Sequence, residues 1–256
     1  MQKTIKTGTI FYLCFLCLAA NSQEIKEVKD EKPAMEKKNV IKINLPALAF
    51  KNISVQYERA IGKRTSLAAN IRTIPFGKLP FQNTFKDITD NPDVRYDQFQ
   101  LGSFGAVAEF RYYVGKRGAL HGFYIGPFVS YSNYKMDLPL TYTSGTTTKT
   151  GIFNGKLNAV TGGLQIGAQF SLGKNMVLDW WILGPNYGSS EGTLNFISNL
   201  TPQEQADLDQ AIKDLKEDLP FDAIKSHSVN STGAVVNVKG PWAGLRGLGL
   251  SLGFRF

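Results

Sequence analysis

The chain has 256 residues, a formal net charge of +8 and an aromatic content of 12% that includes 17 Phe and 10 Tyr. Its length suits a single all-β unit, and its mean hydropathy of −0.16 is no higher than that of a soluble protein. Although the charge is positive, no block of Lys and Arg interleaved with aromatic residues occurs, so we predict no nucleic-acid partner.

Residues 1–22 have the pattern of a cleaved signal peptide. Lys3 and Lys6 form a basic start, an apolar run covers residues 10–20, and small residues precede the predicted cleavage point at Gln23. The apolar run is too short to cross a bilayer as a helix. Both cysteines of the chain lie in this segment. The mature protein is therefore predicted to lack disulfides, catalytic thiols and cysteine metal sites, and to be exported into a bacterial envelope.

Residues 23–38 are rich in Glu and Lys and poor in apolar side chains. A segment of this composition cannot bury enough apolar surface to offset the entropy that folding costs. We therefore predict a disordered periplasmic tether over residues 23–38, followed by one folded unit over residues 39–256.

The final stretch of the chain, Gly247–Phe256, alternates strictly between large apolar residues and Gly, Ser or Arg. Side chains on a strand point alternately to opposite faces, so this strand has one apolar face and one small, polar face. In a membrane barrel, the apolar face contacts lipid and the polar face lines the interior. The pattern predicts eight strands, at about residues 40–48, 52–61, 65–74, 99–114, 121–135, 157–172, 176–185 and 244–256.

The lengths of the predicted connections give an independent indication. The connections after strands two, four and six are short turns, whereas those after strands three, five and seven are long and include a Thr-rich loop at 141–150 and a final loop at 186–243. Short turns on one side and long loops on the other are typical of outer-membrane barrels. We predict an all-β fold, an eight-stranded antiparallel up-and-down transmembrane β-barrel, with a secreted β-sandwich as the alternative.

Seven charged residues fall on the predicted inner face of this barrel. Eight strands enclose a space just wide enough for side chains to fill, and buried charges are costly unless they are paired. We predict a salt-bridged network that plugs the lumen, with a charged constriction that selects a solute as the alternative. The members of the network are Lys42, Glu58, Arg72, Glu109, Arg111, Asp179 and Arg255.

The loop at 186–243 contains a helix signal. Thr201 and Glu204 match a capping box around a proline at the first helical position, and apolar residues then recur at helical spacing until Pro220. We predict a short helix at about 202–219 in this last external loop, serving either as a lid on the barrel or as a docking face for a partner or a hydrophobic ligand. Its apolar face consists of Leu208, Ile212, Leu215 and Leu219.

Signals for catalysis and metal binding are weak. Barrel enzymes that modify lipid need a nucleophile activated by a base, usually Ser with His. His121 is predicted at the periplasmic rim and His227 in a loop, and no Gly-x-Ser-x-Gly motif occurs. The acids of the long loop after strand three, Asp87, Asp90, Asp93 and Asp97, lack the spacing of a calcium-binding loop. We predict no catalytic residue, cofactor or metal site.

Three segments carry a family resemblance. They are Asn39–Leu45, Val55–Arg59 and Gly240–Phe256. These segments resemble an uncharacterised (domain-of-unknown-function) outer-membrane β-barrel family of Bacteroidetes-type bacteria, and residues 39–256 more widely resemble the OmpA/OmpX type of eight-stranded barrel. The resemblance implies that the last strand, with Phe254 and Phe256, is the signal read by the barrel-assembly machinery. It assigns no catalytic residue.

Three functions are compatible with these observations. The first is a plugged outer-membrane barrel that acts structurally or through its external loops in surface interaction. The second is a narrow channel or conduit for small hydrophobic solutes, and the third is a lipid-A-modifying enzyme. The expected partners are outer-membrane lipid, lipopolysaccharide and the assembly machinery, and the sequence names no surface partner.

Overall fold

The computed structural model describes residues 37–78, 80, 98–144 and 147–256. The predicted signal peptide, all but the last two residues of the predicted tether and the acids of the long loop after strand three lie outside these residues. Most of the described residues belong to strands.

Within the described residues, the chain forms nine strands and two helices. The strands are β1 (Asn39–Asn44), β2 (Ile53–Ala60), β3 (Thr65–Lys78), β4 (Gln100–Tyr113), β5 (Gly122–Ser144), β6 (Thr147–Leu172), β7 (Met176–Ile197), β8 (Ile224–Asn230) and β9 (Gly233–Arg255). The helices are α1 (Leu45–Ala49) and α2 (Pro202–Asp218). Neither described helix is both long and apolar enough to cross a membrane.

The strands form one antiparallel sheet in the order β1-β2-β3-β4-β5-β6-β7-β9-β8. β9 also pairs with β1, from Val40 opposite Arg255 to Asn44 opposite Ser251. The pairing therefore closes β1–β7 and β9 into a ring of eight strands. β8 lies outside the ring and pairs with the beginning of β9. The predicted all-β, antiparallel architecture is confirmed.

Alternation along the strands separates the two faces of the ring. Polar side chains such as Gln56, Glu58 and Gln165 are buried in its interior. The outer face carries exposed large apolar side chains around the whole ring, which we call the apolar belt. It comprises Ile41, Ile43, Ile53, Val55, Tyr57, Leu67, Ile71, Phe104, Phe110, Tyr112, Phe123, Ile125, Val129, Leu164, Ile166, Phe170, Trp180, Leu250 and Phe254.

The first strand is shorter than the predicted 40–48. It ends at Asn44, whose side-chain oxygen accepts a hydrogen bond from the Ala47 N–H at 3.1 Å and so caps α1. Pro46 lies in the first turn of this helix, where its missing N–H leaves no bond unmade. The apolar alternation in this segment concealed a helix start because Asn and Pro, rather than the apolar residues, decide the local backbone.

Two of the predicted loops are formed largely by strands. β5 and β6 continue through the predicted loop 141–150 and pair as far as Ser144 opposite Thr147. β7 and β9 continue through much of the predicted loop 186–243 and pair as far as Ile197 opposite Gly233. We call this part of the molecule the extension. It consists of residues 138–144, 147–157 and 187–243.

Candidate functional site

The interior of the ring concentrates charge at one level. Lys42 of β1, Glu58 of β2, Arg111 of β4 and Asp179 of β7 have fully buried side chains. The sheet leaves room for them where a neighbour is small: a Cβ atom on Gly253 would lie 2.8 Å from the Lys42 Cγ. The alternation that exposes the belt therefore turns these four side chains towards one another.

Two cations share two carboxylates at this level. Lys42 Nζ pairs with Glu58 and lies 2.5 Å from Asp179 Oδ2. Arg111 Nη1 lies 3.1 Å from Glu58 Oε2 and 2.7 Å from the same Asp179 oxygen. Each buried charge thus has two opposite charges within hydrogen-bond distance, which offsets the cost of removing it from water.

Neutral side chains occupy the remaining hydrogen-bonding positions of the carboxylates. The Tyr113 hydroxyl lies 2.6 Å from Glu58 Oε1, and the Ser66 hydroxyl donates to the same carboxylate. The Tyr124 hydroxyl donates to Asp179 Oδ1 at 2.9 Å, and the Arg111 guanidinium lies over the Tyr124 ring with its Cζ 4.1 Å from the centroid. These contacts fix the carboxylates in place.

A further set of ion pairs, around Glu109, includes a residue that the sequence did not predict. Glu109 accepts a hydrogen bond from Arg111 Nε at 2.9 Å and from Arg246 Nη1 at 3.0 Å. The Arg246 guanidinium also stacks on Trp181, with its Cζ 4.0 Å from the ring centroid. Lys42, Arg111 and Arg246 together balance Glu58, Glu109 and Asp179, and we call these six residues the charge network.

Arg246 faces inward because the alternation of inner and outer residues along β7 and β9 shifts by one position. The register between β6 and β7 shifts by one residue after Ile166, and Trp181 and Gly184 are both buried on the inner face. β9 keeps its register with β7, so it changes phase with it. One signal was present in the sequence: the apolar Leu245, beside Arg246, is at an odd position, whereas the apolar residues of the last strand are at even positions. The structure exposes 69% of Leu245.

Two of the predicted members lie apart from the charge network. Arg72 Nη2 donates to the Ser132 hydroxyl at 2.8 Å, and no carboxylate among the described residues pairs with it. Arg255 Nη2 donates to the Leu120 carbonyl at 2.8 Å, and its Nη1 lies 3.3 Å from His121 Nε2. The inner face alone could not predict this separation because it gives the direction of a side chain and not its height in the ring.

Comparison with known proteins identifies the family. The model of the family described as protein of unknown function (DUF3575) matches residues 9–187. The chain belongs to this family. Searches of the curated proteins and of the solved structures found no match. Membership of an uncharacterised family is thus confirmed, and the DUF3575 match covers the strands that contribute Lys42, Glu58, Glu109, Arg111 and Asp179.

The C-terminal residues close the ring of this DUF3575 protein. The Phe256 N–H donates to the Asn39 carbonyl at 2.9 Å, and the Asn39 N–H donates to the Phe256 carbonyl at 3.0 Å. The side chains of Phe254 and Phe256, the predicted assembly signal, are both exposed. They stand at the seam between β1 and β9.

The predicted apolar face of α2 packs mainly against the chain itself. Ile212 is 8% exposed and forms a cluster with Ile224 and Ala234, on which Leu208 and Leu219 also pack. Leu215 is 53% exposed. The helix therefore covers a face of β8 and β9 in the extension, and Leu215 is the member of the predicted face that stays open.

Polar contacts hold α2 at both ends of its packing. The predicted capping box forms, with Thr201 N–H donating to Glu204 Oε2 at 2.7 Å, and Lys149 Nζ of β6 lies 2.7 Å from Glu204 Oε1. His227 Nε2 of β8 lies 2.9 Å from Asp209 Oδ1. Hydrogen bonds from Lys213 and then from His227 hold the pKa of Asp209 below its usual range, so the carboxylate stays charged until the pH falls towards that lowered pKa.

The site offers charge pairing and hydrogen bonding as its chemistry. His121 approaches Arg255, and His227 approaches Asp209. Among the described residues, no group of three or more His, Cys, Asp or Glu side chains could hold a metal ion. The arrangement is suited to filling and closing the ring.

Proposed function

We propose that the protein is a transmembrane β-barrel of the bacterial outer membrane whose lumen is plugged and whose extension acts in surface interaction. The observation that carries this proposal is the closed ring with an apolar outer belt and a polar, salt-bridged interior. Lipid offers no hydrogen-bond partner to the backbone, so a sheet crosses a membrane only when its edges are closed. A soluble monomer rarely leaves a continuous apolar surface of more than a few hundred Å² uncovered.

The charge network supports a closed lumen. Its six side chains are at least nine-tenths buried and fill the space that eight strands enclose. A hydrophobic solute passing this level would have to displace paired charges, which favours a plug over the narrow conduit. His227 pairs with the Asp209 carboxylate and His121 approaches the Arg255 guanidinium, so we propose a role without catalysis and rank lipid-A modification below the plug and the conduit.

The lengths of the strands support a role for the extension outside the membrane. A tilted strand needs about 9–11 residues to cross a bilayer, whereas β5, β6, β7 and β9 have 23, 26, 22 and 23 residues. The short turns β2–β3, β4–β5 and β6–β7 lie at the opposite ends of the strands from the extension. If those turns are periplasmic, as in the OmpA/OmpX-type barrels that the sequence resembles, the extension stands outside the cell.

This proposal implies two kinds of membrane partner. The apolar belt would contact outer-membrane lipid, and the rim below the extension would meet lipopolysaccharide. The exposed Phe254 and Phe256 at the seam would be read by the barrel-assembly machinery of a Bacteroidetes-type outer membrane.

Gel migration of the outer-membrane fraction, boiled against unboiled, tests the barrel. A closed barrel resists detergent until heated, so we expect two apparent masses in that fraction. Protein refolded into planar bilayers should give no stepwise conductance. Recovery in a soluble fraction without a heat-dependent shift would overturn the barrel, and steady conductance steps would overturn the plug.

A further inference from the structure

A small chamber lies in the interior beside the charge network. Its volume is about 130 Å³. Its walls combine two arginines with hydroxyl and aromatic side chains, among them Arg72, Arg246, Ser130, Ser132, Tyr134 and Trp242. We propose that this chamber binds a small organic carboxylate, with Arg72 and Arg246 as its charged ligands. The inference rests on the interior of the ring and does not depend on the membrane location proposed above.

The balance of charge favours a monoanion. The charge network pairs three cations with three carboxylates, and Glu109 is already shared between Arg111 and Arg246. Arg72 adds a further positive charge, and it pairs with no carboxylate among the described residues. Arg72 is partly buried, and a charge that is partly removed from water is stabilised by an opposite charge. One negative charge bound in the chamber would supply the missing partner.

Unused hydrogen-bond donors point to the same ligand. The Arg246 side chain is 9% exposed, and its Nη2 has no hydrogen-bond partner in the described part of the chain. Arg72 uses Nη2 for Ser132, and its other guanidinium donors have no described acceptor. Guanidinium groups present paired N–H donors that match the two oxygens of a carboxylate. Two such groups at one chamber therefore form a recognition site for that group.

The aromatic walls favour an anion with an organic body. The rings of Tyr134 and Trp242 lie 5.7 Å apart between centroids, and the Arg246 guanidinium lies 5.3 Å from the Phe128 ring. An engineered cavity of roughly 150 Å³ holds a benzene molecule, so the chamber is close to the size of an aryl or short alkyl group. Inorganic phosphate would leave these apolar walls uncovered.

Isothermal titration of the refolded full-length protein in detergent tests the proposal. Benzoate is the probe, and benzyl alcohol is its neutral counterpart of similar size. We expect saturable heat with benzoate and none with benzyl alcohol or inorganic phosphate. Binding of phosphate without benzoate would overturn the assignment to organic carboxylates. Equal binding of benzyl alcohol would overturn the role of the arginines, and no binding of any probe would overturn the site.

Variants locate the binding in the chamber. Arg72→Gln should weaken the binding of benzoate by about tenfold or more, which is the loss expected for a charged hydrogen bond. Arg255→Gln replaces an interior arginine that lies outside the chamber, so it should leave the affinity for benzoate unchanged. Ser130→Leu, which fills the chamber and keeps both arginines, should abolish binding. The heat-dependent gel shift checks the folding of each variant. Equal affinity in Arg72→Gln and the wild type, or in Ser130→Leu and the wild type, would contradict the proposal.

Discussion

Asp179 is the residue on which the two central cations depend. Its Oδ2 lies 2.5 Å from Lys42 Nζ and 2.7 Å from Arg111 Nη1. Removing one charge from such a buried set leaves the others without full compensation. We therefore expect Asp179→Asn to lower the free energy of unfolding by about 3–5 kcal/mol, measured by urea titration of the protein folded in lipid vesicles.

A matched control removes a carboxylate from the surface. Glu191 pairs with Lys239 at 3.3 Å, and both side chains are at least 60% exposed. Water screens this pair, so Glu191→Gln should change the free energy of unfolding by less than about 1 kcal/mol. Equal losses in the two variants would mean that the interior pairs contribute no more than the surface pair.

Glycine gives the interior its room for large side chains. A Cβ atom on Gly167 would overlap the Tyr124 ring and lie 2.7 Å from the Trp180 carbonyl oxygen. Gly167→Ala should therefore displace Tyr124 from Asp179 and cost about 1–3 kcal/mol of stability. Gly115→Ala is the control because nothing lies within 4 Å of a Cβ at that turn. The same urea titration compares them, and an unchanged Gly167→Ala midpoint would count against the packing described.

At the scale of single residues, the sequence predicted the face on which a side chain lies better than it predicted the residues that the side chain contacts. Alternation placed Lys42, Glu58, Arg111 and Asp179 on one face because the two-residue period of a strand is fixed by its backbone. It could not pair them, since pairing depends on the offset between strands. Arg246 was missed for a related reason: a one-residue register shift in a neighbouring strand reverses the faces that alternation assigns.

At the scale of elements, the sequence predicted an element where a capping motif or apolar packing marked it. The helix at α2 followed from Thr201, Glu204 and Pro220, because caps act locally. The length of β5 to β7 did not follow, since residues such as Thr147 to Thr150 are polar on both faces. At Thr147 to Thr150, backbone pairing continues without apolar alternation to mark it in the sequence. β8 was missed because Ile224–Asn230 pairs at one edge and carries little apolar alternation.

The helix α2 offers a test of whether the extension and the ring are one unit. Ile212→Asp introduces a charge into the cluster with Ile224 and Ala234, a change that removes apolar burial and leaves a carboxylate without a partner. We expect protease sensitivity across α2 with an unchanged heat-dependent gel shift of the ring. Leu215→Asp, on the exposed side of the same helix, should behave as wild type. Loss of the gel shift in Ile212→Asp would show that the two parts fold together.

At the scale of the whole molecule, closure gives each of the eight strands of the ring two neighbours, and alternation places large apolar side chains on its outer face. Only the pairing of β9 with β1 makes this possible, and the alternating last strand predicted it. The height to which the sheet continues above the belt could not be predicted, because strands that stand in water, as we propose for the extension, have no requirement for apolar outward residues. The proposed membrane boundary therefore lies between the apolar belt and the extension.

This boundary predicts a difference between two exposed valines. Val129 lies in the belt, opposite Ala108 and Gly162, whereas Val235 lies on the extension, opposite Asn195 and Ser228. If lipid surrounds the belt, Val129→Arg should lower the free energy of unfolding in lipid vesicles by about 2–4 kcal/mol. Val235→Arg should have little effect because its side chain would remain in water. Equal effects at the two positions would contradict a lipid-facing belt, since the arginine would then meet the same solvent at both.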